Sequence, residues 1–222
     1  MCECGGKCGS ACKCHGEGEH QCSCSCSNED NTKVLFCIVG KSASGKDRLV
    51  RALSERLGWK VVCSYAERPM REGETDGVEH RFVSKEEMDK LFDADNVIAK
   101  TQIGEYRYCA TTDCIDADTK LYIVDPAGVE YLSERQEKLG ICIYVVYIDV
   151  DEEVRLERAL GRGDNIEVLK KRFEAESEMF DAFRDMLLTF ESTDFDWGYY
   201  RNDENFEEMY ALVAGDLLYI SR

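Results

Sequence analysis

An unbroken apolar run, Val34-Leu35-Phe36-Cys37-Ile38-Val39, leads directly into Gly40-Lys41-Ser42-Ala43-Ser44-Gly45-Lys46-Asp47, and that octapeptide opens a stretch with helical periodicity. A continuous apolar hexamer rich in strand formers suits a parallel strand buried on both faces. Beyond the octapeptide, Leu49, Val50, Leu53 and Leu57 share one helical face, while Arg48, Arg51, Glu55 and Arg56 fall on the other. Strand, glycine loop and helix in this order restrict the chain to a small set of α/β folds. The pattern G-x-x-x-x-G-K turns backbone amides and a helix N-terminus toward an anion, and its lysine reaches the β- and γ-phosphates of a nucleotide. Gly40 to Asp47, with Arg48 beside them, are therefore the candidate donor-nucleotide residues.

Asp47 stands where this loop pattern carries Ser or Thr. A carboxylate is a good hard-oxygen ligand for Mg²⁺, yet it adds negative charge beside a polyanion. Two consequences are open: a direct metal ligand that needs the ion before ATP binds well, or weakened use of ATP. Lys46 and Arg48 flank the carboxylate and offset part of its charge, which favours the first.

The 222 residues support one α/β domain with small insertions and a tail. A formal net charge of -17 argues against general nucleic-acid binding and points to a small anion held at local cationic islands. Those islands are Lys41, Lys46 and Arg48; Arg68 and Arg71; Arg162; and Lys170, Lys171 and Arg172. No apolar run is long enough for a membrane span, and the N-terminus lacks the apolar stretch of a signal peptide, so a cytoplasmic location is expected. No feature specifies an oligomeric state.

Residues 1–30 are of another kind. Cys2, Cys4, Cys8, Cys12, Cys14, Cys22, Cys24 and Cys26 lie there with His15 and His20, and no large aliphatic or aromatic side chain follows Met1. Such a segment builds no hydrophobic core and is expected to be disordered or bound to metal. In a reducing compartment clustered thiolates favour Zn²⁺ or Cu⁺ over disulfides. The C-x-C and C-x-x-x-C spacings suit a small metallothionein-type tail rather than a zinc ribbon. Cys37, Cys63 and Cys142 lie in apolar, strand-like runs and are expected to be small buried residues.

The remainder alternates strand and helix. Lys60–Cys63 reads as a short strand and Gly73–Val83 as a turn followed by a strand-like stretch. Ser84 and Glu87 form a capping box for a helix through Phe92. Leu121–Val124 and Ile141–Ile148 read as buried strands, helices dominate from Glu152 to about Glu191 with a break at Gly161-Arg162-Gly163, and Glu204–Tyr219 closes the chain as a helix. The expected fold is α/β: a parallel sheet covered by helices on both sides, with ligands at the carboxyl ends of its strands.

The segment from Ser64 to Ser84 contains Arg68-Pro69-Met70-Arg71-Glu72-Gly73-Glu74 followed by Gly77, His80, Phe82, Val83 and Ser84. It resembles the R-x-x-R-x-G-E-x-x-G-x-x-Y-x-F-V-S signature of guanylate kinases. The resemblance extends from about Thr32 to the C-terminus through Val124-Asp125-Pro126-Ala127-Gly128, Gly161-Arg162-Gly163, Lys171-Arg172 and Arg201-Asn202-Asp203. It implies a nucleotide-monophosphate-binding insertion at residues 64–112 and a helical lid at 160–173 within a domain spanning 31–222. It implies transfer of the γ-phosphoryl group of ATP, with Mg²⁺, to a nucleoside monophosphate, most naturally GMP. Such chemistry needs positioning and charge neutralisation above all. In that scheme Lys46 bridges the donor phosphates, Arg68 and Arg71 clamp the acceptor phosphate, and Arg162 and Arg172 close over the transferring group. Ser64, Glu74, His80, Tyr108 and Asp125 match acceptor positions, and Asn202 matches a donor position.

Three departures from the family pattern concern the acceptor. His80 replaces a tyrosine, Tyr108-Cys109-Ala110 replaces Tyr-Gly-Ser or Tyr-Gly-Thr, and Ile98–Gln102 lacks the glutamate that reads guanine. Two alternatives therefore stand beside a GMP kinase: a kinase for another nucleotide or small phosphorylated metabolite, and a catalytically weak binding module of the same fold.

Overall fold

The computed structural model describes residues 33–71, 73–78, 80–189 and 194–221. The cysteine-rich tail lies outside them, and residues 33–222 form one compact unit.

The central sheet has five parallel strands. The apolar run becomes β1 (Lys33–Val39), followed by α1 (Lys46–Leu57) and the short edge strand β2 (Lys60–Val61). The chain then leaves the sheet and returns as β7 (Thr119–Ile123), β8 (Ile141–Asp149) and β9 (Asp196–Arg201), in the spatial order β2-β7-β1-β8-β9. Strand alternation sends Leu35, Cys37 and Val39 to one face and Phe36 and Ile38 to the other, and all five are at most 1% exposed. The first face packs under α3 (Pro126–Ser133) and α6 (Ile166–Leu188) through Val129, Leu132, Phe180, Phe183 and Leu187. The second packs under α1 and α7 (Phe206–Ile220) through Leu49, Leu53, Val213 and Leu217. With helices on both faces, β1 has no solvent side, which is why its sequence does not alternate.

The excursion between β2 and β7 builds a second sheet that the strand pattern alone did not reveal. It contains β3 (Tyr65–Ala66), β4 (Arg81–Phe82), β5 (Val97–Ile103) and β6 (Tyr106–Thr111) in the order β4-β3-β6-β5. The β5–β6 hairpin turns at Gly104-Glu105, with Gly104 at φ 63 and Ile103 opposite Tyr106. The helix α2 (Lys85–Phe92) packs against it and begins with the expected capping box between Ser84 and Glu87. A short α4 (Gln136–Leu139) precedes β8, and α5 (Glu152–Gly161) precedes α6 across the Gly161-Arg162-Gly163 break.

Several expected boundaries shift. The strand-like stretch ending at Val83 reduces to the two residues of β4, because the preceding residues serve loop contacts such as Asp76 Oδ1 accepting from the Phe82 amide at 2.8 Å. The last helix starts at Phe206, where Asn205 caps it. Cys37 is buried and Cys63 half-buried as small apolar-run residues, but Cys142 is exposed. It is the second residue of β8, between the buried Ile141 and Ile143 of the opposite face.

Candidate active site

The loop after β1 is shaped by residues that tolerate a left-handed backbone. Ala43 has φ 62 and Gly45 has φ 97, so successive amides turn inward, and the first amides of α1 lack helix partners by geometry. A Cβ on Gly40 would lie 2.4 Å from the Ile148 carbonyl oxygen, so only glycine lets the loop pass this close to β8. Gly45 leaves similarly little room, its virtual Cβ meeting Asn202 Nδ2 at 2.6 Å. Asn202 follows β9, is 3% exposed, and donates to the Ser44 carbonyl at 2.8 Å. Two buried polar atoms at this loop, Ser44 Oγ and Asn202 Oδ1, have no partner among the described residues.

Lys46 folds back over the loop, its ammonium donating to the carbonyls of Gly40 at 2.6 Å and Lys41 at 3.0 Å. Burial is the main influence on that ammonium and pushes it down to about 8, against the opposing pull of Asp47 and Glu176. The charges of Arg172 and Arg155 add to the lowering. Asp47 is exposed at the first turn of α1. The Arg48 guanidinium lies over the Phe206 ring at 3.7 Å. Of the two cations flanking Asp47, Lys46 is thus the one turned into the loop.

The acceptor-side residues gather on and around the second sheet. Ser64 precedes β3, is 7% exposed, and its hydroxyl lies 3.0 Å from His80 Nδ1. Burial, then the charge of Arg68, lowers the His80 pKa. Arg68 is 5% exposed and forms a bidentate pair with Glu74 at 2.7 and 2.6 Å. Glu74 also accepts from the Arg71 amide at 2.7 Å, and these bonds hold its carboxyl near 2. The His80 and Tyr108 rings lie 5.8 Å apart, and the Tyr108 hydroxyl bears on Arg68. Desolvation, then repulsion from Arg68 and Arg172, lowers the Arg71 pKa. Arg172 lies on the exposed side of α6, and its charge is felt by both Lys46 and Arg71.

Asp125 lies two residues beyond β7 and caps α3, its Oδ1 accepting from the Gly128 amide at 2.8 Å. Its Oδ2 accepts from Thr101 Oγ1 at 2.5 Å, and burial raises its pKa. Thr101 lies opposite Tyr108 in the β5–β6 register, so this one hydroxyl ties the small sheet to the end of the large one. Cys109 points into the core, 1% exposed, and burial pushes its thiol up to about 11, which disfavours the thiolate. Arg162 stands apart from the cluster, exposed and paired with Asp164 at 2.9 Å.

Sequence reasoning missed four side chains that the structure places at the loop. Arg155 and Glu176 meet Ser42, Asp181 meets Lys41, and Arg158 donates to the Asn202 carbonyl at 2.6 Å. Arg158 and Arg155 precede the lid break by a few residues, which is the one local signal that marks them. The fit to a nucleotide rests on the glycines with no space for Cβ, the orphaned Ser44 Oγ, and an ammonium satisfied by loop carbonyls. For Mg²⁺ the hard-oxygen donor at the loop is the exposed Asp47 carboxylate.

A glycine-lined loop between a buried strand and a helix, facing a small cation-bearing sheet, defines a P-loop α/β fold of the nucleotide-kinase type. The family model described as guanylate kinase matches residues 32–200, and the chain belongs to that family. It is 32% identical over 146 residues to the guanylate kinase of Neisseria gonorrhoeae, covering 62% of this chain and 69% of that one. Against the guanylate kinase of Vibrio parahaemolyticus it is 32% identical over 162 residues, covering 65% and 73%. A crystal structure of guanylate kinase from Anaplasma phagocytophilum shares the fold with a TM-score of 0.56 at 16% identity, covering 85% of this chain and 86% of that one. Among the described residues, no helix is long and apolar enough to cross a membrane.

Proposed function

We propose that this chain transfers the γ-phosphoryl group of ATP to GMP by direct in-line displacement. The observation that carries this reading is the glycine loop with the Lys46 ammonium folded over its carbonyls, in a chain whose small sheet holds Arg68 and Arg71 oriented by Glu74. A phosphate oxygen of the acceptor attacks the γ-phosphorus as the bond to the β-bridging oxygen breaks, and negative charge spreads over the transferring group. Lys46 leaves its loop carbonyls to hold the donor phosphates, and amides of the loop complete the cradle. Arg68, already oriented by Glu74, and Arg71 clamp the acceptor phosphate, with His80 and Tyr108 beside them. Arg172 spans both phosphates, and Arg162 exchanges Asp164 for the transferring group as residues 160–173 close and exclude water. Asp47 holds Mg²⁺, which when bound neutralises charge on the donor phosphates. Ser64, Asp125 and Asn202 border the two nucleosides.

One observation favours a second acceptor. No acidic residue lies in Val97–Ile103, and both Asp125 oxygens already have protein donors. A site without an unpaired carboxylate for the guanine edge discriminates less sharply. A coupled assay of ADP release against GMP, dGMP, AMP, CMP, UMP and dTMP decides. Turnover fastest with GMP, and lost in Lys46→Ala, is expected. Preference for a non-guanine acceptor overturns the substrate, and no turnover with any acceptor in Mg-ATP overturns the activity.

For residues 1–30, which lie outside the described residues, we infer a soft-metal tail separate from the catalytic domain. Eight cysteines and two histidines supply thiolate and imidazole ligands suited to Zn²⁺ or Cu⁺. The guanylate kinase match begins only at residue 32.

A further inference from the structure

The crest of the phosphate loop is held by two carboxylates of α6, an unexpected neighbour for a polyanion site. Glu176 accepts from the Ser42 amide at 2.8 Å and from the Ser42 hydroxyl at 2.9 Å. Asp181 accepts from the Lys41 ammonium at 2.6 Å. Beneath them Arg155, 2% exposed and over the Phe173 ring at 4.4 Å, reaches the Ser42 carbonyl at 3.4 Å and Glu176 at 3.5 Å. Lys41 and Arg155 offset Asp181 and Glu176, and the network extends to Arg184, 3.0 Å from Asp181, and to Glu152, 3.5 Å from Arg155. It grips the loop through Ser42 and Lys41 while the Lys46 ammonium bonds only loop carbonyls among the described residues. An ion pair this buried is weak evidence for added stability, since desolvation offsets its attraction, so its use is sought in geometry.

The geometry lies along α6. Glu176 is four residues after Arg172, on the same helix face and one turn away. Fixing Glu176 to Ser42 thus fixes the helix turn that carries Arg172 relative to the loop that carries Lys46. We propose that Glu176, supported by Arg155, is a positioning residue that sets Arg172 opposite the donor phosphates, with Asp181 and Lys41 as its second anchor. The helix beyond Glu176 stays fixed to the loop, and lid motion is confined to the segment before it. This inference rests on the phosphoryl-transfer reading of the same site.

Misplacing a catalytic group by about 1 Å costs on the order of 100-fold in rate. Glu176→Ala is expected to lower kcat by roughly 10- to 100-fold while changing the acceptor KM by less than about 3-fold. Glu176→Gln, which can still bond both Ser42 groups, recovers most of that loss. Because Glu176→Ala strands a buried guanidinium and can unfold the protein, Arg155→Leu/Glu176→Ala is the companion variant; it removes the pair and keeps an apolar packing. It should melt close to the wild type and remain slow. In an Arg172→Ala background, Glu176→Ala should cost less than about 2-fold more, since both act through one group. Full additivity with Arg172→Ala, or recovery of kcat in the companion variant, overturns the proposal. If the wild type transfers no phosphoryl group, the proposed function fails on its own. The latch is then read from equilibrium binding of ATP, where non-additive losses support it and additive losses overturn it.

Discussion

Gly45→Ala tests how tightly the loop is built. The substitution puts a side chain at φ +97 and a Cβ 2.6 Å from Asn202 Nδ2. The left-handed backbone costs a non-glycine residue about 1–2 kcal/mol. Asn202 must also move, although it is 3% exposed and its Nδ2 donates to the Ser44 carbonyl at 2.8 Å. Losing that bond and leaving a buried carbonyl unpaired adds about 1–3 kcal/mol. Together these give roughly 2–5 kcal/mol, and at about 2–4 °C per kcal/mol for a domain of this size the melting temperature falls by roughly 4–20 °C. Gly58→Ala is the control: Gly58 has φ +72, but no atom lies within 4 Å of its virtual Cβ, so it bears the backbone cost alone. Differential scanning calorimetry of both variants separates the terms. A Gly45→Ala melting point within about 2 °C of Gly58→Ala would refute the steric reasoning and the assigned place of Asn202.

Lys46 supplies a pH prediction. With its ammonium at about 8 in the free protein, the charged form is lost as pH rises through that value, well below the ordinary 10.5. Polyphosphate requires the charged form and raises its pKa on binding, so the KM for ATP should be flat below pH 8 and rise toward about tenfold per unit above it; a flat profile to pH 10 would show that burial does not control this group. For the tail, deletion of residues 1–30 should leave phosphoryl transfer largely intact while abolishing high-affinity Zn²⁺ or Cu⁺ binding measured by competition with a chromophoric chelator. Comparable loss of turnover would show that the cysteines serve catalysis.

The parts of the fold legible in the sequence are those with a short-range signature. β1 follows from its unbroken apolar run, α1 from apolar periodicity, the loop between them from glycine spacing, and the α2 start from the Ser84–Glu87 capping box, which the structure reproduces in both of its hydrogen bonds. The small sheet was not legible in the same way. β3 and β4 are two residues each, too short for alternation to register, and they exist because the longer β5–β6 hairpin gives β3 an edge to pair with. Exposed Cys142 shows the same limit: an apolar neighbourhood in sequence does not say which of its side chains the packing covers.

The sequence by itself determined the glycine loop from Gly40 to Lys46, a candidate phosphate site, and set Arg68 and Arg71 before Glu74 at a spacing that lets the Arg68 guanidinium and the Arg71 amide meet its carboxylate. Local geometry suffices there, because a glycine loop and a six-residue turn close on themselves wherever they are placed. Only the tertiary structure decided which distant groups face that loop. Ser42 meets Glu176 across 134 residues, Lys41 meets Asp181 across 140, and Asn202 reaches Ser44 across 158. Thr101 closes on Asp125 only because the two sheets come together there. These partnerships carry no periodicity, since each depends on a single side chain arriving from another element. The charge of Lys46 and the placing of Arg172 are therefore properties of the packed molecule rather than of the loop.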